Sequence, residues 1–157
     1  QLSLTVSEEH VIAGVAAANL PGRCQIVQRE PLIVFDVSHN EASTLRLSEF
    51  LSLQFSPKEG AKCVAVCGML KDKEIAASLA QVVEQVDCWH TASIDNERGA
   101  SSLEVAKQLE NLNALEVNCY DSARLAYEAA KATLTEHDCL VVFGSFHIVG
   151  DILNKDA

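Results

Sequence analysis

The chain has 157 residues, 48% apolar and 22% charged, with a formal net charge of −10. A chain of this size buries roughly 70% of the surface its unfolded form exposes, so a single domain over residues 1–157 with its own core is expected. The negative charge repels phosphate backbones and argues against a nucleic-acid partner, and no apolar run approaches the ~20 residues that would cross a membrane.

The chain opens at Gln1 on what reads as mid-domain sequence, with no basic-then-apolar leader, and this implies a piece of a longer protein. Ser7 is placed to cap a helix to about residue 18, with Val11, Ile12, Val15 and Ala16 as its apolar stripe. Leu20-Pro21-Gly22 stops that helix, because proline lacks the donor and glycine permits the turn. Two short strands, 24–28 and 32–36, follow around Arg29-Glu30-Pro31, as a hairpin or a sharp bend at a sheet edge. Regular alternation then sets in. A helix at 41–55 leads through Pro57 and Gly60 to a strand at 63–67, and a helix at 73–86 precedes a strand at 87–91. Ser101 and Glu104 form a capping box for a helix ending near Leu112. A strand at 114–118, a helix capped by Asp121 and reaching about Leu134, a strand at 139–143 and a helix from Ser145 complete the chain.

The strands are continuous apolar runs instead of alternating ones, which indicates burial on both faces. Repeated strand–helix–strand units of this kind predict an α/β fold, a Rossmann-like, mostly parallel sheet flanked by helices on both faces. The six cysteines include no C-x-x-C pair, and several lie inside apolar runs such as Cys63-Val64-Ala65-Val66-Cys67. They are read as small buried hydrophobes in reduced form, with no metal site, in a cytoplasmic protein.

Ligands of open α/β sheets bind beyond the carboxyl ends of the strands. Three polar clusters fall there: Asp36-Val37-Ser38-His39-Asn40, Gly68-Met69-Leu70-Lys71-Asp72-Lys73 and Gly144-Ser145-Phe146-His147. Each has a plain alternative. Asp36 and Asn40 could cap the next helix, His39 could be a surface residue, and Lys71 and Lys73 could be a solvated helix start. Cations at a helix N-terminus oppose its dipole, which favours a specific task for one of these lysines. Ser145 suits an N-cap, and the glycine before it lets a ligand approach free backbone donors. The absence of both G-x-G-x-x-G and G-x-x-x-x-G-K-[ST] disfavours a dinucleotide or Walker site within the chain. By themselves these residues define a nucleotide-sized or carboxylate-binding site of open type.

Taken together with Leu20-Pro21-Gly22-Arg23, the Asp36–Asn40 cluster and Phe143-Gly144-Ser145-Phe146-His147 resemble the dihydrofolate synthase/folylpolyglutamate synthase family of the Mur ligase superfamily. The likeness runs from about Leu20 to Leu153. It departs at Ser38 and Glu41, where the family usually carries alanine and proline. The resemblance implies the C-terminal domain of an ATP-dependent ligase. Such an enzyme adds L-glutamate to dihydropteroate or to the glutamate tail of a folate through an acyl phosphate. It also implies that the P-loop and the Mg ligands belong to an N-terminal ATPase domain outside this chain, and that the domain alone is inactive. Carried onto this sequence, Arg23, Asp36, His39 and Asn40 face ATP, with Asp36 toward the ribose, His39 toward the phosphates and Asn40 shaping the loop. Ser145, Lys73 and His147 face glutamate, and His39 and Lys73 are the candidate catalytic residues. The alternatives are a noncatalytic nucleotide-binding module and another Mur-type amino-acid ligase.

Overall fold

The structure, a computed structural model, describes residues 6–17, 20–58 and 60–153. Its elements in chain order are α1 (Glu8–Ala17), β1 (Gln25–Arg29), β2 (Leu32–Phe35), α2 (Glu41–Gln54), β3 (Cys63–Cys67) and α3 (Ile75–Ala80). After a short 3-10 turn (Val83–Gln85) come β4 (Cys88–Ala92), α4 (Ser102–Asn111), β5 (Val117–Tyr120), α5 (Ala123–Ala132), β6 (Cys139–Phe143) and α6 (Phe146–Leu153).

The six strands form one sheet in the order β1-β2-β6-β3-β4-β5. β1 pairs antiparallel with β2, so the first two strands are the expected edge hairpin, and the remaining pairings are parallel. Every residue of β2, β3, β4 and β6 is buried, whereas the outer strands β1 and β5 are only partly covered. That difference is what continuous apolar runs in the central strands require. One face packs Val34, Ala65, Trp89 and Val141 against Leu47 and Leu51 of α2, Leu79 of α3 and Leu109 of α4. The other packs Ile33, Val66 and Leu140 against Ala126 and Ala130 of α5 and Ile148 and Ile152 of α6. Each large aliphatic side chain buried in this way contributes about 1.5–3 kcal/mol relative to exposure.

Local chemistry sets the boundaries. Asn40 caps α2, its Oδ1 accepting from Ser43 N–H at 2.9 Å, and the Ser101–Glu104 capping box forms as expected. Several boundaries differ from the sequence reading. The helix expected over 73–86 breaks after Ala80, and Lys73 lies in the turn before it instead of in its first turn. α5 is capped by Ser122, whose Oγ accepts from Leu125 N–H at 3.4 Å, and not by Asp121. The strand expected at 114–118 runs from Val117 to Tyr120, because Asn113 turns the chain at φ 61° and Leu115 is 95% exposed. Val11 and Ile12 of the expected stripe on α1 are exposed, and the side chains of Val15 and Ala16 lie outside the described residues. Cys63, Cys67, Cys88 and Cys139 are buried, Cys24 is half-buried, Cys119 is exposed and all six are free thiols. Burial pushes the Cys88 thiol up to about 11, so it stays protonated near neutrality. No helix among the described residues is long and apolar enough to cross a membrane.

Candidate functional site

The strand order places the site. From β2, β3 and β4 the chain passes into α2, α3 and α4 on one face, whereas β6 lies between β2 and β3 and feeds α6 on the other. Loops leaving a sheet toward opposite faces open a crevice at the carboxyl ends of the strands. The crevices here flank β6.

Gly144 makes the close approach possible. It sits at φ +113°, and a Cβ there would lie 2.5 Å from the Gly68 carbonyl oxygen, so the loop ends of β6 and β3 touch backbone to backbone. Beside this contact is a cavity of about 260 Å³ lined by His39, Leu70, Lys73, Arg98, Gly144, Ser145, Phe146 and His147. A shallower recess continues past Leu70, Arg98 and His147 to Asn96 and Glu97. Four expected site residues, His39, Lys73, Ser145 and His147, therefore converge from three different loops.

Ser145 is buried and caps α6, its Oγ accepting from Ile148 N–H at 3.2 Å. The hydroxyl keeps its own proton for donation. The His39 ring has its Nδ1 2.9 Å from the Val37 carbonyl oxygen. A carbonyl only accepts, so Nδ1 carries the proton and Nε2 is left for other partners. Phe146 stands between two of the predicted residues. Its ring centroid is 6.5 Å from that of His39, and the Arg23 guanidinium lies 5.9 Å over its face, within cation–π range.

Three expected residues lie outside the cavity lining. Arg23 is beside it, across Phe146. Asn40 is the α2 cap. Asp36 is 3% exposed: its Oδ2 accepts from Cys24 N–H at 2.7 Å, and its Oδ1 accepts from Ser38 N–H at 2.7 Å and from the Ser38 hydroxyl. The carboxylate thus ties the turn carrying Arg23 to the loop carrying His39. Three of its roughly four acceptor positions are occupied.

Arg98 is the lining residue the sequence reading did not single out. Its loop, between β4 and α4, docks on the loop after β3 through Lys71 N–H to Arg98 O (2.8 Å) and Ala100 N–H to Met69 O (3.0 Å). A residue-level bridge pairs Leu70 with Gly99. Gly99 has no alternative, since an added Cβ would fall 1.9 Å from the Ile94 carbonyl oxygen. The Arg98 guanidinium donates to Asp72 Oδ2 at 2.7 Å, and Lys73 Nζ is 3.9 Å from the same oxygen. The hydrogen bond from Arg98 holds the Asp72 carboxyl below its ordinary range. In a chain of net charge −10, this wall of the cavity concentrates cations. Its signal in the sequence was position alone: a long polar loop leaving the carboxyl end of a strand.

Fold and site together define a doubly wound α/β domain that presents a cavity walled by Lys73 and Arg98 beside an inserted central strand. The chain belongs to the Mur ligase, glutamate ligase domain family, whose model matches residues 22–146. It is 38% identical over 152 residues to the dihydrofolate synthase/folylpolyglutamate synthase of Escherichia coli, covering 96% of this chain and 34% of that protein. Its fold matches the bifunctional folylpolyglutamate synthase/dihydrofolate synthase of Yersinia pestis complexed with AMPPNP and Mn ion. There the TM-score is 0.84 at 34% identity, over 97% of this chain and 35% of that one. A structure of the bifunctional enzyme with Mn, AMPPNP and L-glutamate bound gives a TM-score of 0.85 at 34% identity, again over 97% and 35%. The chain thus spans about a third of the length of these relatives. Among the described residues no group of three or more His, Cys, Asp or Glu side chains is arranged to hold a metal ion.

Proposed function

We propose that this chain is the glutamate-accepting domain of an ATP-dependent ligase that joins L-glutamate to dihydropteroate or to the glutamate tail of a folate. One observation carries the reading: His39, Lys73, Arg98, Ser145 and His147 meet at one cavity on the carboxyl edge of the sheet, in a member of a glutamate ligase family. In this reading an ATPase domain outside this chain supplies the P-loop and the metal ligands.

In this reading Lys73 and Arg98 together hold one carboxylate of the incoming glutamate. Arg98 presents a fixed fork suited to two parallel hydrogen bonds, and Lys73 acts as a point charge. The Ser145 hydroxyl and the start of α6 take the other carboxylate, with His147 beside them. Arg23 and His39 face the nucleotide side, where the Arg23 guanidinium donates to phosphate oxygens and His39 lies beside them with Nε2 as an acceptor. Asp36 keeps one acceptor position for a ribose hydroxyl while fixing the loops of Arg23 and His39. Asn40 holds that loop by capping α2. Bound ATP activates the acceptor carboxylate. The residues of this domain place the amine in line with it and exclude water when the two domains close. Unbridged cysteines and the absence of a membrane-crossing helix among the described residues are in keeping with work in the cytoplasm.

The test is initial-rate kinetics on the full-length protein, measuring ADP release that depends on both L-glutamate and a pteroate or folate acceptor. Arg98→Ala removes a charge-assisted contact worth about 1.5–3 kcal/mol, so KM for glutamate rises roughly 10- to 150-fold while KM for ATP moves less. The chain assayed alone releases no ADP. Activity in the isolated chain, or glutamate kinetics indifferent to Arg98, sinks the assignment.

A further inference from the structure

We propose that Asp72 is a specificity-determining residue that tunes the cation wall of the cavity for carboxylates and against phosphates. This rests on reading the cavity as an amino-acid carboxylate site and adds how that site rejects the other anions an ATP-driven reaction brings to it.

Asp72 contacts both cations of the wall yet does not itself line the cavity. It stands behind Arg98 and Lys73 instead of between them and a ligand. Its grip on Arg98 is one short bond at 2.7 Å to a single guanidinium nitrogen, so further donors of the fork remain available. The Arg98 loop is fixed independently by its backbone bonds to Met69 and Lys71, so Asp72 meets a guanidinium already set in place. The neighbouring Lys71 is drawn electrostatically to Glu104 of α4, which leaves Lys73 and Arg98 as the pair that shares Asp72.

Two cations and one carboxylate leave the wall a single net positive charge. One substrate carboxylate matches it. A phosphate near neutrality carries about 1.5 to 2 negative charges and needs a second uncompensated cation. The Asp72 carboxylate, 2.7 Å from Arg98 and 3.9 Å from Lys73, also repels that excess charge across the cations; at roughly 6–7 Å this is worth about threefold per unit charge even in water-like surroundings. Without Asp72 the same wall would suit phosphate, which is a product of the proposed reaction and resembles the terminal group of ATP. Asp72 thus keeps the amino-acid site open to glutamate in the presence of nucleotide.

The experiment uses inorganic phosphate as the probe, competing with L-glutamate in the full-length ligase, for the parent, Asp72→Asn and Asp72→Glu. Asp72→Asn tightens inhibition competitive with glutamate by about threefold or more, without a matching fall in the KM for glutamate, and Asp72→Glu restores most of the selectivity. A merely structural role would weaken both ligands together. The inference is overturned if the ratio of the phosphate inhibition constant to the glutamate KM stays within twofold of the parent in Asp72→Asn. In that case the site reading survives provided Arg98→Ala still raises the glutamate KM. If Arg98→Ala leaves that KM unmoved as well, both fall.

Discussion

Replacing Gly99 by alanine perturbs the cavity without touching a charged group. The added Cβ would lie 1.9 Å from the Ile94 carbonyl oxygen and 2.7 Å from its carbon. An ordinary C···O approach is about 3.3 Å or more, so the loop must open by well over an ångström. The bonds that pin it, Lys71 N–H to Arg98 O at 2.8 Å and Ala100 N–H to Met69 O at 3.0 Å, lie within one residue of the clash and cannot both survive. Overpacking costs about 1–3 kcal/mol and each lost hydrogen bond about 0.5–1.5 kcal/mol, which gives roughly 2–5 kcal/mol. For a domain of this size each kcal/mol lowers Tm by about 2–4 °C, so the expected drop is about 4–20 °C. Thermal melts followed by circular dichroism measure the drop, and amide exchange at Lys71 and Ala100 tests its origin. A Tm within ~2 °C of the parent, together with unchanged protection of both amides, would refute the claim that this docking fixes Arg98.

Arg23→Ala in the full-length protein weakens turnover at least about tenfold, given about 1.5–3 kcal/mol for a charge-assisted contact; near-parent kinetics would remove Arg23 from the site. Stability also carries a pH signature. Burial holds His90 below its ordinary value, with Glu116 pulling the other way, so the unfolded chain binds more protons in acid than the folded one. Stability is therefore complete above about pH 6.5 and declines below it until the folded imidazole is itself protonated. Urea midpoints at pH 7.5 and 5.5 detect the decline, and His90→Gln should flatten it; the same slope in the variant assigns it elsewhere.

Legibility followed the reach of the forces involved. The strands at 63–67 and 139–143 were readable to the residue because continuous apolar runs have one solution, burial on both faces. The capping boundaries at Asn40 and Ser101 were readable because side chain and backbone partner lie three residues apart. The edge strand β5 was misplaced because Val117-Asn118-Cys119-Tyr120, half-buried except for the exposed Cys119, has a weaker apolar signal than Ala114-Leu115 before it. The break after Ala80 gives no Pro or Gly warning. Of the site, the three clusters at strand ends were legible because the strand pattern fixes which loops share an edge. Arg98 was not, because its position depends on pairing with Leu70 and Lys71, more than 25 residues away along the chain. The closed bonding of Asp36 to Cys24 and Ser38 was hidden for the same reason.

The insertion of β6 between β2 and β3 also fixes the order in which the molecule can be completed. Until residues 139–143 leave the ribosome, β1 and β2 have no parallel neighbour, and β3, β4 and β5 form a separate half-sheet with one flank unpaired. The two halves are joined by the last strand, which pairs with residues more than 100 positions earlier, and such long-range closure is slow. Ser145 and α6 follow directly behind it. During synthesis, then, the cavity cannot exist until residues 139–147 have emerged, and the step that seals the sheet is also the one that assembles this edge.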